Sequence, residues 1–152
     1  MAQILSAEQI RLFAELDRSE QAHALRVCRK LLSEGESDPV LLAAALLHDI
    51  GKIRYRLRLW ERAWIVLFRW IGRKFRIRLE LNGRGLEEAQ WWKRALLVGE
   101  CHPLWGAELL RHQGVDEQVI WLVEHHQDWE IAERRDIKGV LLKKLLQADQ
   151  AC

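Results

Sequence analysis

Apolar positions recur at helical spacing along most of the chain. Ser6-Ala7-Glu8-Gln9 has the capping-box pattern and predicts a first helix over about 7–16, with Ile10, Phe13, Ala14 and Leu16 as its apolar positions. A second helix is expected over roughly 18–33, carried by Ala22, Leu25, Val27, Leu31 and Leu32 and ending before Gly35. Asp38-Pro39 restarts the chain: aspartate can cap, and proline suits a first helical position, where its missing N–H would have no partner. The run from Val40 to Asp49, VLLAAALLHD, is apolar nearly all round, as expected of a central buried helix, with Gly51 as its natural end.

Beyond Gly51 the period changes. Residues 53–59 (IRYRLRL) and 75–81 (FRIRLEL) alternate apolar and charged positions, which fits short strands or extended connectors. Between them, Trp60 to Ile71 reads as a helix, with Arg58, Arg62, Arg69 and Arg73 within a narrow arc of one face. The NGRG at 82–85 signals a loop. Further helices are expected over Glu87–Val98, from His102-Pro103 to a close at Gly114, from a cap at Asp116 through His126, and from a cap at Asp136. The last has Val140, Leu141, Leu142, Leu145 and Leu146 as its apolar face. The fold class that follows is all-α, a compact multi-helix bundle with the two alternating segments left open.

Length and composition narrow the class. A chain of 152 residues suits one domain with a self-sufficient core. At 49% hydrophobic residues it is not a disordered chain. Nine glycines and two prolines are too few for a barrel or sandwich built on tight turns. Cys28, Cys101 and Cys152 are odd in number and widely spaced, which suggests neither a disulfide framework nor a structural zinc site. The N-terminal MAQILSAEQI lacks a basic region followed by an apolar run, and no stretch of about 18 apolar residues occurs. A cytoplasmic location is the expectation.

The net charge of +2 conceals an asymmetry. Residues 52–78 hold ten basic side chains and one acid, so this block carries +9 and the remainder −7. Three roles compete for the block. It could dock on an anionic membrane surface through residues 53–78, which would place the protein peripherally at the inner membrane face. It could meet nucleic acid or nucleotide, with arginines on phosphates and aromatics stacking bases. Or its aromatic residues could pack on this domain or on a twin subunit in a homodimer.

The candidate chemistry lies in the histidines. His48 and Asp49 are adjacent at the end of the most apolar helix, and His125 and His126 are adjacent at the end of another. Imidazole and carboxylate groups beside a buried helix must be satisfied, and a divalent metal does this well. The mixed set suits manganese, iron, cobalt, nickel, zinc or magnesium.

The run Leu46-Leu47-His48-Asp49-Ile50-Gly51-Lys52 resembles the core motif of the HD-domain superfamily of metal-dependent phosphohydrolases, in its HDIG form. His23-Ala24-Leu25-Arg26-Val27 resembles the family's first-histidine segment, and His102-Pro103-Leu104-Trp105-Gly106-Ala107-Glu108-Leu109 a later histidine segment. Glu124-His125-His126-Gln127 looks like the paired-histidine segment and Leu146-Gln147-Ala148-Asp149 the late A-D motif. The five occur in family order over 23–149, and the extra histidines are similar to those of the two-metal, HD-GYP-like branch. Gln127-Asp128-Trp129-Glu130 follows the paired histidines in place of a G-Y-P segment, which argues against cyclic dinucleotide hydrolysis.

The resemblance implies a single HD domain spanning 1–152, with the basic, tryptophan-rich segment at about 53–86 inserted between the HD motif and the next metal-ligand histidine. It implies a first metal site of His23, His48, Asp49 and Asp149. Asp49 would bridge to a second ion held by His102, His125 and, as the open member of the pair, His126. The activity implied is hydrolysis of a phosphomonoester or phosphodiester, nucleotides included, by metal-activated water. Asp49 and Lys52 are the catalytic candidates. Lys52, four residues after His48, would share its face on a continued helix and contact phosphate; the alternative is a solvated charge. Arg26, three after His23, is the second phosphate candidate, with a structural ion pair as its alternative. The rival to an enzyme is a non-catalytic, metal-binding module for protein interaction or membrane docking.

Overall fold

The computed structural model describes residues 4–54 and 91–152, the side chains of 91–97 excepted. Seven α-helices are present among the described residues: α1 (Ala7–Ala14), α2 (Arg18–Ser33), α3 (Pro39–Leu47), α4 (Trp91–His112), α5 (Glu117–His125), α6 (Trp129–Ala132) and α7 (Ile137–Gln150). A 3-10 turn, Ile50–Arg54, follows α3. No strand occurs among the described residues, and no described helix is long and apolar enough to cross a membrane. The expected helix at 60–71, the loop at 82–85, the alternating segment at 75–81 and most of the basic block lie outside the described residues. Of the segment 53–59, Ile53 and Arg54 close the 3-10 turn rather than opening a strand.

The helix boundaries follow from local chemistry. Ser6 accepts from the Gln9 amide while the Gln9 side chain accepts from the Ser6 amide, completing the capping box. Asp38 accepts from the amides of Val40 and Leu41, with Pro39 in the first turn. Asp116, Asp128 and Asp136 cap α5, α6 and α7 in the same way. At the other ends, Gly35 (φ 84°) and Gly114 (φ 64°) take left-handed conformations. They let Glu36 donate back to Leu31 and Val115 to Leu110, in each case the longer closing bond of a Schellman turn.

Several expectations change, Ala14, Ala22 and Leu32 being exposed rather than on the apolar faces of α1 and α2. From Trp91 onward, the segments read as separate helices over 87–98 and from His102 are one helix, with Pro103 inside α4, while residues 87–90 lie outside the described residues. Proline's fixed φ is already helical, so the cost is one hydrogen bond and some strain, and packing on the 3-10 turn and on α5 outweighs it. The short α6 was not anticipated; four residues carry no readable period. On α7, Leu141, Leu142, Leu145 and Leu146 are buried, but Val140 is exposed.

α3 is the hub. Leu41 through Leu47 are all buried, and the helix packs against α2, α5 and α7. Because it is enclosed on every side, its C-terminal residues emerge among the ends of its neighbours.

Candidate metal centre

Each candidate side chain is delivered to that point by the apolar stripe of its own helix. His23 lies one turn before Val27 on the buried face of α2. Asp149 follows Leu142, Leu145 and Leu146 at helical spacing and closes the core stripe of α7. Val98, His102, Gly106 and Leu110 form one row along α4. His126 is the C-cap of α5, just past the buried Leu122 and Val123.

Two groups of side chains result, each with its ligating atoms within 4.8 Å of one another: His23, His48 and Asp149, and Asp49, His102 and His126. In the first, His23 Nε2 lies 2.7 Å and His48 Nε2 3.5 Å from Asp149 Oδ1. In the second, Asp49 Oδ1 is 3.2 Å from His102 Nε2 and 3.9 Å from His126 Nε2. Asp49 joins the groups, since its Oδ2 stands 3.3 Å from His48 Nε2. The second group is buried, whereas His23 and Asp149 are partly open to solvent.

Gly51 makes the junction between the 3-10 turn and α4. A Cβ there would overlap the carbonyl oxygen of His102 and the amide nitrogen of Gly106. Gly106 is tight in turn, its added Cβ coming within 3.2 Å of the Gly51 amide, Ile50 and Val123. Backbone thus approaches backbone directly, and His102 reaches Asp49.

The ring orientations bear on what the groups can hold. His48 Nδ1–H donates to Ala45 O (3.0 Å), His102 Nδ1–H to Val98 O (2.8 Å) and His126 Nδ1–H to Val123 O (2.6 Å). A carbonyl can only accept, so each ring carries its proton on Nδ1 and turns the Nε2 lone pair inward when neutral. His102 Nε2 and His126 Nε2 then face each other at 3.1 Å, an arrangement that repels unless a cation lies between. His48 Nε2 is fully buried and makes no hydrogen bond. An orphaned buried nitrogen, two opposed lone pairs and two carboxylates fit a divalent cation.

The electrostatics agree in direction. Burial pushes the His48 imidazole down, but the adjacent Asp49 and Asp149 carboxylates overcome this and raise it to about 10. His126 is lowered to about 3, first by burial and then by the nearby His48 and His102 rings. Asp49 and Asp149 both stand well below the usual carboxylate range; burial opposes this, but the surrounding histidines outweigh it. The centre therefore attracts positive charge and holds its carboxylates ionised.

The other candidates are placed differently. His125, expected beside His102, is in neither group: its Nδ1–H donates to Trp121 O at 2.8 Å, and its ring stacks on Trp121 with centroids 4.5 Å apart. One helical step separates His125 from His126 by about 100°, so only one of the pair can face the centre. Lys52 does share the side of Asp49, but through the 3-10 turn rather than a continued α-helix. Its ammonium is held 2.7 Å from Asp49 Oδ2 and 2.9 Å from Glu20 Oε2, and both carboxylates raise its pKa against the effect of burial. Arg26 is exposed, one turn from His23, with no ion-pair partner among the described residues.

Two residues at the centre escaped the sequence reading. Glu20 lies three residues before His23, a spacing that could have indicated it. Gln127 brings its side-chain nitrogen to 3.5 Å from His102 Nε2 and lines, with Glu100, Pro103, Leu104, Asp128 and Trp129, an open cavity of about 550 Å³. A family model described as HD domain matches residues 21–150. Comparison with curated proteins and with solved structures found no match.

Proposed function

The chain belongs to the HD domain family, and from that premise we propose that it is a metal-dependent phosphohydrolase with a two-ion centre, cleaving a phosphomonoester or phosphodiester. The family consists mostly of metal-dependent hydrolases. The observation that carries the reading is the convergence of the Nε2 atoms of His48, His102 and His126 on the ionised Asp49, with His48 Nε2 buried and making no hydrogen bond.

His23, His48 and Asp149 would hold one ion and His102 and His126 the other, with Asp49, which lies against both groups, as a ligand common to them. Divalent cations, when bound, supply a water of lowered pKa and neutralise charge on the phosphoryl oxygens. The chain's own part is to fix the donors. The carbonyls of Ala45, Val98 and Val123 lock the three ring orientations, and the apolar shell excludes bulk water from Asp49 and His102. The partly exposed His23–Asp149 side is the approach for substrate, with Arg26 at its rim as a phosphate contact.

Metal analysis of protein purified without chelator, followed by a phosphate-ester panel with manganese, tests this. Close to two ions per chain and turnover of at least one ester are expected, with metal and turnover both lost in His48→Ala and Asp49→Ala. Less than about a tenth of an ion per chain, unchanged by added manganese or iron, would defeat the proposal. Bound metal without turnover would favour the non-catalytic module.

A further inference from the structure

The Lys52 ammonium stands where a cation at Asp49 Oδ2 would otherwise approach. It is 2.7 Å from that oxygen and the same ammonium is 2.9 Å from Glu20 Oε2. The three groups come from separate places in the chain: the end of α3, the 3-10 turn and the first turn of α2. They are shielded, with side-chain exposures of 5% for Asp49, 14% for Glu20 and 27% for Lys52, so solvent screens them less than a surface pair. Two carboxylates share one ammonium, and what one loses the other can retain.

We propose that Lys52 is a built-in competitor for the metal at Asp49, and that Glu20 is the positioning residue that keeps the ammonium at the rim when Asp49 turns to metal. The inference rests on the metal reading above. A like-charged ion arriving at Asp49 weakens the Lys52–Asp49 pair. With Glu20 in place, the ammonium has a second carboxylate to hold it and stays beside the centre, where an incoming phosphate meets it. Without Glu20, Lys52 keeps only Asp49 as a carboxylate partner among the described residues and opposes metal entry more strongly. Glu20 thus acts through Lys52, not by touching metal or substrate.

A double-mutant cycle on metal affinity tests this, with Mn2+ alone titrated calorimetrically into the metal-stripped full chain, each variant first checked for a cooperative thermal transition. Lys52→Met should bind Mn2+ more tightly than the wild type. Glu20→Gln should bind it about threefold or more weakly, the low end of the coupling found between groups in contact. In the Lys52→Met background, Glu20→Gln should change affinity by less than about twofold, because the tethered group is gone. Unaltered affinity in Glu20→Gln would reduce the contact to a structural ion pair and overturn the proposal. The same factor in both backgrounds would also overturn it, since simple attraction of Mn2+ by Glu20 adds independently of Lys52. A wild-type chain that takes up no Mn2+ would remove the metal reading itself; a chain that binds Mn2+ but shows no coupling removes only the role of Glu20.

Discussion

At the scale of single residues, the decisive choice is between neighbours. His125 and His126 are chemically identical and adjacent, yet His126 is buried beside Asp49 and His102 while His125 stacks on Trp121. Lys138 and Arg134 lie over the same Trp121 ring, 5.3 and 6.0 Å from its centroid, so His125 belongs to a small aromatic–cation cluster on the flank of α5. His126→Ala should therefore lower bound metal by about one ion per chain. His125→Ala should keep its metal and lose about 0.5–1.5 kcal/mol of stability, the worth of a stacked aromatic pair. Elemental analysis beside denaturant titration separates the two, and equal metal loss in both would contradict the assignment. Residue types and their order pointed to this place in the chain: the side chains of His23, His48, Asp49, His102 and Asp149, read from separate motifs, lie in the two clusters. Which histidine of the pair turns inward was not legible. It depends on where α5 ends, and His126 lies at the C-cap with ψ near 0°.

At the scale of elements, termini were easier to read than junctions. Ser6, Asp38, Asp116 and Asp136 act as caps because the carboxylate or hydroxyl acts on amides two or three residues away, a purely local interaction. Pro103 was misleading for the opposite reason: whether it starts a helix or lies within one is decided by the 3-10 turn and α5 packed against α4, which no local pattern reports. Gly51 shows the same dependence on a distant partner. Two substitutions set these cases against each other. Asp38→Ala removes acceptors for two amides and should cost about 1 kcal/mol, with metal content unchanged. Gly51→Ala drives a methyl group into the α4 backbone, which cannot yield as a side chain would. It should cost about 3 kcal/mol, the upper range for overpacking, and detach His102 from Asp49. Denaturant midpoints and metal content together check this; Gly51→Ala with wild-type stability and full metal would contradict the close backbone approach of the 3-10 turn to α4.

At the scale of the whole molecule, the centre ties the helices together. Its six side chains come from α2, the end of α3, α4, the end of α5 and α7, covering the chain from residue 23 to residue 149. The core alone can hold these helices, since α3 is enclosed by apolar side chains independently of any ion. What the core does not relieve is the crowding of inward ring nitrogens and carboxylates at its end. Binding of metal by the folded chain alone then adds to stability by mass action: free ion at a hundred times its dissociation constant contributes about 2.7 kcal/mol per site. For a chain of this length that corresponds to a rise of roughly 5–10 °C in Tm. Chelation should remove the rise and added Mn2+ should restore it in proportion to the logarithm of concentration, as measured by scanning calorimetry. The increment should also shrink as pH falls from about 10 toward neutral, because the proton that Asp49 and Asp149 hold on His48 must leave before its Nε2 can take metal, while a chain lacking Asp49 should show neither effect. A Tm indifferent to chelator at neutral pH would mean that the packed core relieves its own buried polar cluster, and that the convergence of five helices on one point serves the fold without a metal.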